Sequence, residues 1–289
     1  MRVAVTGTTG RVGAALARHL ATNHEVIPLP RRICDLADRG SLASALDRLE
    51  CDVLINPAGL TGLEACEDDP ELAMRVNAEA PAEMASWAEK NEVRFFHFST
   101  DYVFGGEMPG LRREDDIPSP LSVYGRSKLG GENAVLAFPE NCVIRVSWVF
   151  GPEKPSFIDQ IFTTALAGNP LAAVTDKFSF PTFTGDLATW MDSLISRKCS
   201  GILHACNPGE PVSWHGMAMA VVEEMVASGT LDSVPEIAPL RLEDVKAFRA
   251  ARPRFTAMDP SRLASLLDAA PRSWKEAVTA YVRSRCVSR

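Results

Sequence analysis

The chain has 289 residues and no apolar run that approaches the ~20 residues needed to cross a bilayer. Its opening, Met1-Arg2-Val3-Ala4-Val5-Thr6-Gly7, holds too short an apolar stretch for a signal peptide and no cleavage pattern, so the expected location is cytoplasmic. Excess positive charge is lacking as well. Against 30 Lys and Arg stand 37 Asp and Glu, a formal net charge of −7. Phosphate-backbone binding needs a basic stripe, so nucleic acid is disfavoured as a partner, whereas an anionic small ligand needs only local positive charge. The seven cysteines (Cys34, Cys51, Cys66, Cys142, Cys199, Cys206 and Cys286) form no CxxC pair and no zinc spacing. No metal site is therefore expected, and the thiols should be reduced. Internal repeats and low-complexity tracts are missing too. What is there, 46% hydrophobic residues, is ordinary for a globular protein.

Short apolar runs alternate with helical periodicity through the first half. Residues 2–6, 25–29, 52–56, 94–99 and 143–147 read as strands. Residues 12–21, a segment capped by Ser41 and running to Leu49, residues 81–91 with Pro81 in the first turn, and residues 124–136 read as helices. Strands alternating with helices predict parallel pairing and right-handed crossovers, hence an α/β fold with a Rossmann-type doubly wound sheet. Beyond about residue 151 helical segments dominate, at 157–167, 187–196, 217–228 and 274–284. Strand candidates there are confined to 171–174 and 202–205, and residues 230–254 read as a loop rich in Pro and Arg. A dinucleotide-binding region over 1–150 is thus expected to carry a smaller mixed α/β substrate lobe over 151–289. The two should form one compact unit with some interleaving, and residues 285–289 should fray.

Gly7-Thr8-Thr9-Gly10-Arg11-Val12-Gly13 follows the first strand and opens the first helix. A pyrophosphate at a helix N-terminus must approach backbone N–H groups closely, and a Cβ in the way would push it out. This GxxGxxG turn predicts a dinucleotide held by Gly7, Thr9, Gly10, Arg11, Val12 and Gly13. An acid ending the second strand would bind an unmodified ribose; here the strand runs into Pro30-Arg31-Arg32. Guanidiniums at Arg31 and Arg32 favour a 2′-phosphate, so NADPH is the expected cofactor, with NADH as the alternative. Asp35, beside Leu36, is a candidate acceptor for the adenine amino group, and Ala58-Gly59 should border the same groove.

Tyr124 and Lys128 stand four apart on one predicted helix and share a face. A free phenol has a pKa of about 10, and a neighbouring ammonium is expected to lower it into a useful range. Lys128 could also hold the nicotinamide ribose. The fourth strand ends in Ser99-Thr100-Asp101-Tyr102-Val103-Phe104. Ligands of open parallel sheets collect at the carboxyl ends of strands, so Thr100, with Ser99 as its neighbour, is the candidate hydroxyl for the substrate carbonyl.

Together these residues resemble the extended short-chain dehydrogenase/reductase superfamily, and within it the dTDP-4-dehydrorhamnose reductases. The strings that carry the resemblance are the glycine turn, Ser99-Thr100-Asp101-Tyr102-Val103-Phe104, Pro118-Ser119-Pro120-Leu121-Ser122-Val123-Tyr124-Gly125-Arg126-Ser127-Lys128-Leu129 and Arg145-Val146-Ser147-Trp148-Val149-Phe150-Gly151, with weaker matches at Pro181-Thr182 and Arg252-Pro253. The resemblance implies an NAD(P)H-dependent oxidoreductase that reduces the C4 ketone of a dTDP-linked 6-deoxy-hexose in deoxysugar biosynthesis. It makes Tyr124 the proton donor, Lys128 its modulator and ribose ligand, and Thr100 the carbonyl partner. Asp101 and Trp148 would border the sugar.

The chain also departs from that pattern. It has Asn56-Pro57-Ala58-Gly59 where the family usually shows Asn-Ala-Ala-Ala, and Phe183 and Phe255 are more apolar than the family pattern, which points to an altered sugar or nucleotide preference. The resemblance allows a homodimer, but Ala15 stands where some members carry a Glu that helps hold a metal at the dimer contact, which argues against a metal bridge. Two other readings stay open. One is a non-catalytic NADP-binding subunit similar to the regulatory β subunit of methionine adenosyltransferase. The other is a reductase or epimerase of a different nucleotide sugar.

Overall fold

The computed structural model describes residues 1–287. The first half runs β1 (Arg2–Thr6), α1 (Arg11–Leu20), β2 (Glu25–Leu29), α2 (Arg39–Asp47), β3 (Val53–Asn56), α3 (Leu63–Asp68), α4 (Pro70–Met74), a π-helical stretch (Arg75–Glu79), α5 (Ala80–Lys90), β4 (Arg94–Thr100), α6 (Val123–Leu136), β5 (Cys142–Val146) and β6 (Val149–Phe150). The second half runs α7 (Phe157–Leu166), β7 (Leu171–Val174), β8 (Phe178–Ser179), β9 (Thr182–Phe183), α8 (Thr184–Ile195), β10 (Gly201–His204), β11 (Val212–Ser213), α9 (Trp214–Ala227), β12 (Ile237–Leu240), α10 (Ser261–Leu266) and α11 (Trp274–Val287).

Six strands pair in parallel in the order β10-β5-β4-β3-β1-β2. Their side chains alternate between two apolar layers. Val3, Val5, Val53, Ile55, Phe96, Phe98 and Ile144 pack on one face with Leu16 of α1 and Met191 of α8. Ala4, Leu54, Phe95 and Val143 pack on the other with Leu42 of α2, Met84 of α5 and Val135 of α6. A sheet covered on both sides needs apolar residues at every position, which is why these strands read as continuous runs rather than alternating ones. A third cluster, drawn from α7, α9, α11 and β7, forms the core of the second lobe.

The structure revises several expectations. Strand 202–205 is no part of the second lobe: as β10 it completes the central sheet beside β5, and α8 returns with it to pack on α1. The second half of the chain therefore contributes to both layers. The loop expected over 230–254 contains β12, which pairs in parallel with β7. Pro239 is tolerated in it because this two-stranded ladder is all edge. α2 is capped by Asp38, whose carboxylate accepts from Gly40 N and Ser41 N at 2.8 and 3.1 Å. Ser41 itself accepts from Asp35 N at 3.0 Å. α11 continues through Val287, so residues 285–287 are helical where fraying was expected; residues 288 and 289 lie outside the described part of the chain. Among the described residues no helix is long and apolar enough to cross a membrane.

Candidate active site

The chain segments that leave β1, β3, β4 and β5 at their carboxyl ends line one cleft of about 820 Å³. It spans the point between β1 and β3 where the strand order reverses, the usual ligand position in such sheets.

One end of the cleft is almost all backbone. The chain leaves β1 at Gly7 with φ 56°, a left-handed conformation that costs glycine nothing. A Cβ on Gly13 would lie 2.3 Å from the Gly7 carbonyl oxygen and 2.8 Å from that of Thr6, so helix and strand could not meet. Gly10 is the N-cap of α1, and no side chain caps the helix. An uncapped N-terminus with its dipole aimed into a cleft is suited to phosphate. Thr9, Arg11 and Val12 line the cleft with these glycines. The Arg11 guanidinium, however, donates to Val149 O at 3.0 Å and Pro155 O at 2.6 Å, tying the turn to β6 and the chain after it. At the outer rim lie Arg31, Asp35 and Leu36, with Arg31 Nε 3.1 Å from Asp35 Oδ2. Arg32 is exposed and does not line the cleft. Ala58 and Gly59 border it after β3 as expected.

The other end is built from side chains. Ser122 caps α6 by accepting from Gly125 N at 3.2 Å, which fixes Tyr124 and Lys128 one turn apart at the mouth of the sheet. Thr100, the last residue of β4, accepts from Tyr102 N at 3.2 Å, donates to Asp101 Oδ1 at 3.2 Å and hydrogen-bonds the Tyr124 phenol. Ser99, Thr100, Asp101, Tyr124, Lys128 and Trp148 all line the cleft. Trp148 has φ 42°, strained for a non-glycine residue, and its buried indole N–H has no partner. An orphaned donor in a cleft wall calls for an acceptor from a ligand.

The expected acidification of Tyr124 by Lys128 does not hold. Burial pushes the phenol up, the Thr100 hydrogen bond opposes this, and Lys128 is not among the groups that shift it. The ammonium is engaged elsewhere, donating to Phe98 O and lying 3.4 Å from His97 Nε2. Burial lowers Lys128 to about 8. The phenol is therefore protonated at neutral pH, the state a proton donor needs. Asp101 lines the cleft, and its carboxylate accepts from Thr256 Oγ1 at 2.5 Å and Ser179 Oγ at 3.2 Å in the wall behind. Phe183 packs on Phe150 and Tyr281, and Phe255 stacks on Phe178; neither lines the cleft.

Three buried residues at the site were not singled out from the sequence. Asn77 binds Leu60 N and O, each at 2.9 Å, and Ser127 Oγ at 3.0 Å, pinning the loop after β3 to α6. It sits in the π-helical stretch, which has no periodicity to mark it. His97 lies between Lys128 and Asn56 on a strand that reads only as apolar. Lys177, fully buried behind Tyr102 and Trp148, had one signal, a lone cation next to an apolar run. Among the described residues no group of three or more His, Cys, Asp or Glu is placed to hold a metal.

The RmlD substrate binding domain family matches residues 1–286. A dTDP-4-dehydrorhamnose reductase of Aggregatibacter actinomycetemcomitans is 31% identical over 96% of this chain and 97% of its own. The crystal structure of a dTDP-4-dehydrorhamnose reductase from Clostridium acetobutylicum superposes with a TM-score of 0.88 at 28% identity, covering 99% of each chain. That of the Bacillus anthracis enzyme, in complex with NADP, shares the fold with a TM-score of 0.88 at 24% identity, over 97% of this chain and 98% of the other. The chain belongs to the dTDP-4-dehydrorhamnose reductase family, within the extended short-chain dehydrogenases/reductases.

Proposed function

We propose that the chain reduces the C4 ketone of a dTDP-linked 6-deoxy-hexose with NADPH, with NADH as a poorer substitute. The observation that carries this is the continuity of the cleft: an uncapped glycine turn at one end, and Thr100, Tyr124, Lys128 and the unpartnered Trp148 indole at the other. The glycine turn fits a pyrophosphate because a Cβ at Gly13 would collide with the strand it must pack on. The exposed Arg31 at the outer rim is the group available to a 2′-phosphate. When bound, the nicotinamide supplies the hydride that adds to the carbonyl carbon.

The side chains supply the rest. Tyr124, protonated at neutral pH, gives its proton to the carbonyl oxygen as negative charge develops there. Thr100 borders that oxygen and holds the phenol in place. Lys128, lining the same cleft with its ammonium held by Phe98 O and beside His97, is the cation available to the nicotinamide ribose. Trp148 presents an indole N–H and a broad apolar face to the sugar. Its orphaned N–H supports a polar ligand at this end. A cytoplasmic location agrees with the seven free thiols.

The test is a panel of nucleotide-linked 4-keto sugars, each with NADPH and NADH, followed by loss of reduced nicotinamide. Turnover of a dTDP-4-keto-6-deoxy-hexose with NADPH preferred is the expected result. Tight NADP binding with no turnover across the panel would replace this reading with that of a non-catalytic binding subunit.

A further inference from the structure

Four cationic side chains line the cleft, and three of them are committed to the protein itself. The Arg11 guanidinium is taken up by the carbonyls of Val149, Lys154 and Pro155, at 3.0, 3.4 and 2.6 Å. Arg31 pairs with Asp35 at the outer rim. The Lys128 ammonium is buried at the reaction end and donates to Phe98 O. The fourth is Lys154, in the chain between β6 and α7. It is exposed, and no described residue pairs with its ammonium.

The backbone that carries this free side chain is held from several sides. Pro152 and Pro155 flank Glu153-Lys154 and restrict its dihedral freedom. Glu153 accepts from Arg18 of α1 and from Thr184 Oγ1 of α8, the latter at 2.8 Å. Ser156 and Asp159 form a capping box that starts α7 directly afterwards. Arg11, the first residue of α1, binds the carbonyl of Lys154 itself. The loop therefore presents Lys154 from a set place beside the uncapped first turn of α1, the end of the cleft suited to a pyrophosphate. A pyrophosphate is dianionic, the chain has a net charge of −7, and the cleft also holds Asp35 and Asp101. Main-chain N–H groups and a helix dipole supply only partial positive charge. A lysine adds a full charge on a flexible stem.

We propose that Lys154 is a cofactor-binding residue whose ammonium pairs with the pyrophosphate of the dinucleotide held at the glycine turn. The proposal rests on the nicotinamide-cofactor reading of the cleft and goes beyond it by separating two kinds of cation. Arg31, at the outer rim, meets a 2′-phosphate that only NADPH carries. Lys154, beside the helix start, meets a group common to NADPH and NADH. It therefore sets how tightly either dinucleotide is held, not which of them is preferred. A sugar nucleotide also brings a diphosphate, which is the same chemistry from a second source. The bond from Arg11 to the Lys154 carbonyl favours the cofactor, because Arg11 belongs to the phosphate-binding turn itself.

The experiment is a titration of the full-length chain with NADPH, NADH and dTDP, as wild type and as Lys154→Ala, at low and high ionic strength. Nicotinamide fluorescence reads the two dinucleotides and calorimetry reads dTDP. NADPH and NADH should weaken by the same factor, about three- to tenfold, the low end for a hydrogen bond to a charged group because the lysine is exposed. The salt dependence of both should become shallower. The affinity for dTDP and the thermal midpoint should stay as in the wild type, since no described residue pairs with this ammonium. Lys154→Arg should keep most of the affinity, and Lys154→Glu should lose more than Lys154→Ala. Wild-type affinity and salt dependence for both dinucleotides in Lys154→Ala would overturn the proposal. So would a loss confined to NADPH, which belongs to a 2′-phosphate, or a loss of dTDP affinity, alone or alongside, which belongs to the sugar nucleotide. Binding needs no turnover, so the two claims fail separately. A wild-type chain that binds neither dinucleotide defeats the cofactor reading, whereas wild-type binding unmoved by Lys154→Ala defeats only the role of Lys154.

Discussion

The two ends of the cleft are made differently. The glycine end is one continuous stretch, residues 7–13, in which three missing Cβ atoms and an uncapped helix do the work. The reaction end gathers Thr100 from β4, Tyr124 and Lys128 from α6, Trp148 from beyond β5, and behind them Ser179 and Lys177 from one further segment and Thr256 from another. Backbone recognition tolerates little change in shape, while side-chain chemistry tolerates a change of shape better than a change of proton inventory. Substitutions at the two ends should therefore fail in different ways.

The largest contrast is expected from Tyr124→Phe. Removing the proton donor should lower kcat by ~10²–10⁴ and leave NADPH affinity nearly intact. Steady-state kinetics beside a cofactor titration would show the split; a proportional loss of both would erase the distinction between the ends. Gly13→Ala should do the reverse. Its Cβ falls 2.3 Å from the Gly7 carbonyl oxygen, so thermal unfolding should report a loss of about 1–3 kcal/mol, with weakened NADPH binding. Arg31→Ala should raise KM for NADPH by ~10-fold, the scale of one hydrogen bond to a charged group, and leave KM for NADH alone. Arg32→Ala should do less, since Arg32 lies outside the cleft. Equal effects on both cofactors would make the arginines a solvated loop. The smallest effect is a pH limb. Lys128 is lowered by burial to about 8, so its ammonium is present below that value and lost above it. In the wild type kcat should decline as pH rises through that region, and a profile flat to strongly alkaline pH would deny Lys128 a charged role.

The same contrast explains how much was legible in the sequence. The glycine turn and the Tyr124/Lys128 pair are local patterns, fixed by spacing along one turn or one helix, and both come to rest in the cleft as expected. The sequence marks β10 as a strand but not as a member of the central sheet, because no local pattern records which sheet a strand joins after a long crossover. Asn77, His97 and Lys177 act through partners 17 to 76 residues away, so their roles exist only once the chain is folded. The state of Tyr124 was missed for a related reason. Spacing places Lys128 on the same helix face, but the direction of its ammonium is set by Phe98 O and His97, which belong to another strand.

The central claim is that one cleft brings hydride, phenolic proton and sugar ketone together. Its most direct measurement is transfer of deuterium from NADPH labelled at nicotinamide C4, with the product sugar analysed by mass spectrometry and NMR. The account predicts label at sugar C4 with the wild-type chain and labelling slower by ~10²–10⁴ with Tyr124→Phe. NADPH bound in the cleft with the keto-sugar returned unchanged and unlabelled by the wild type would contradict it.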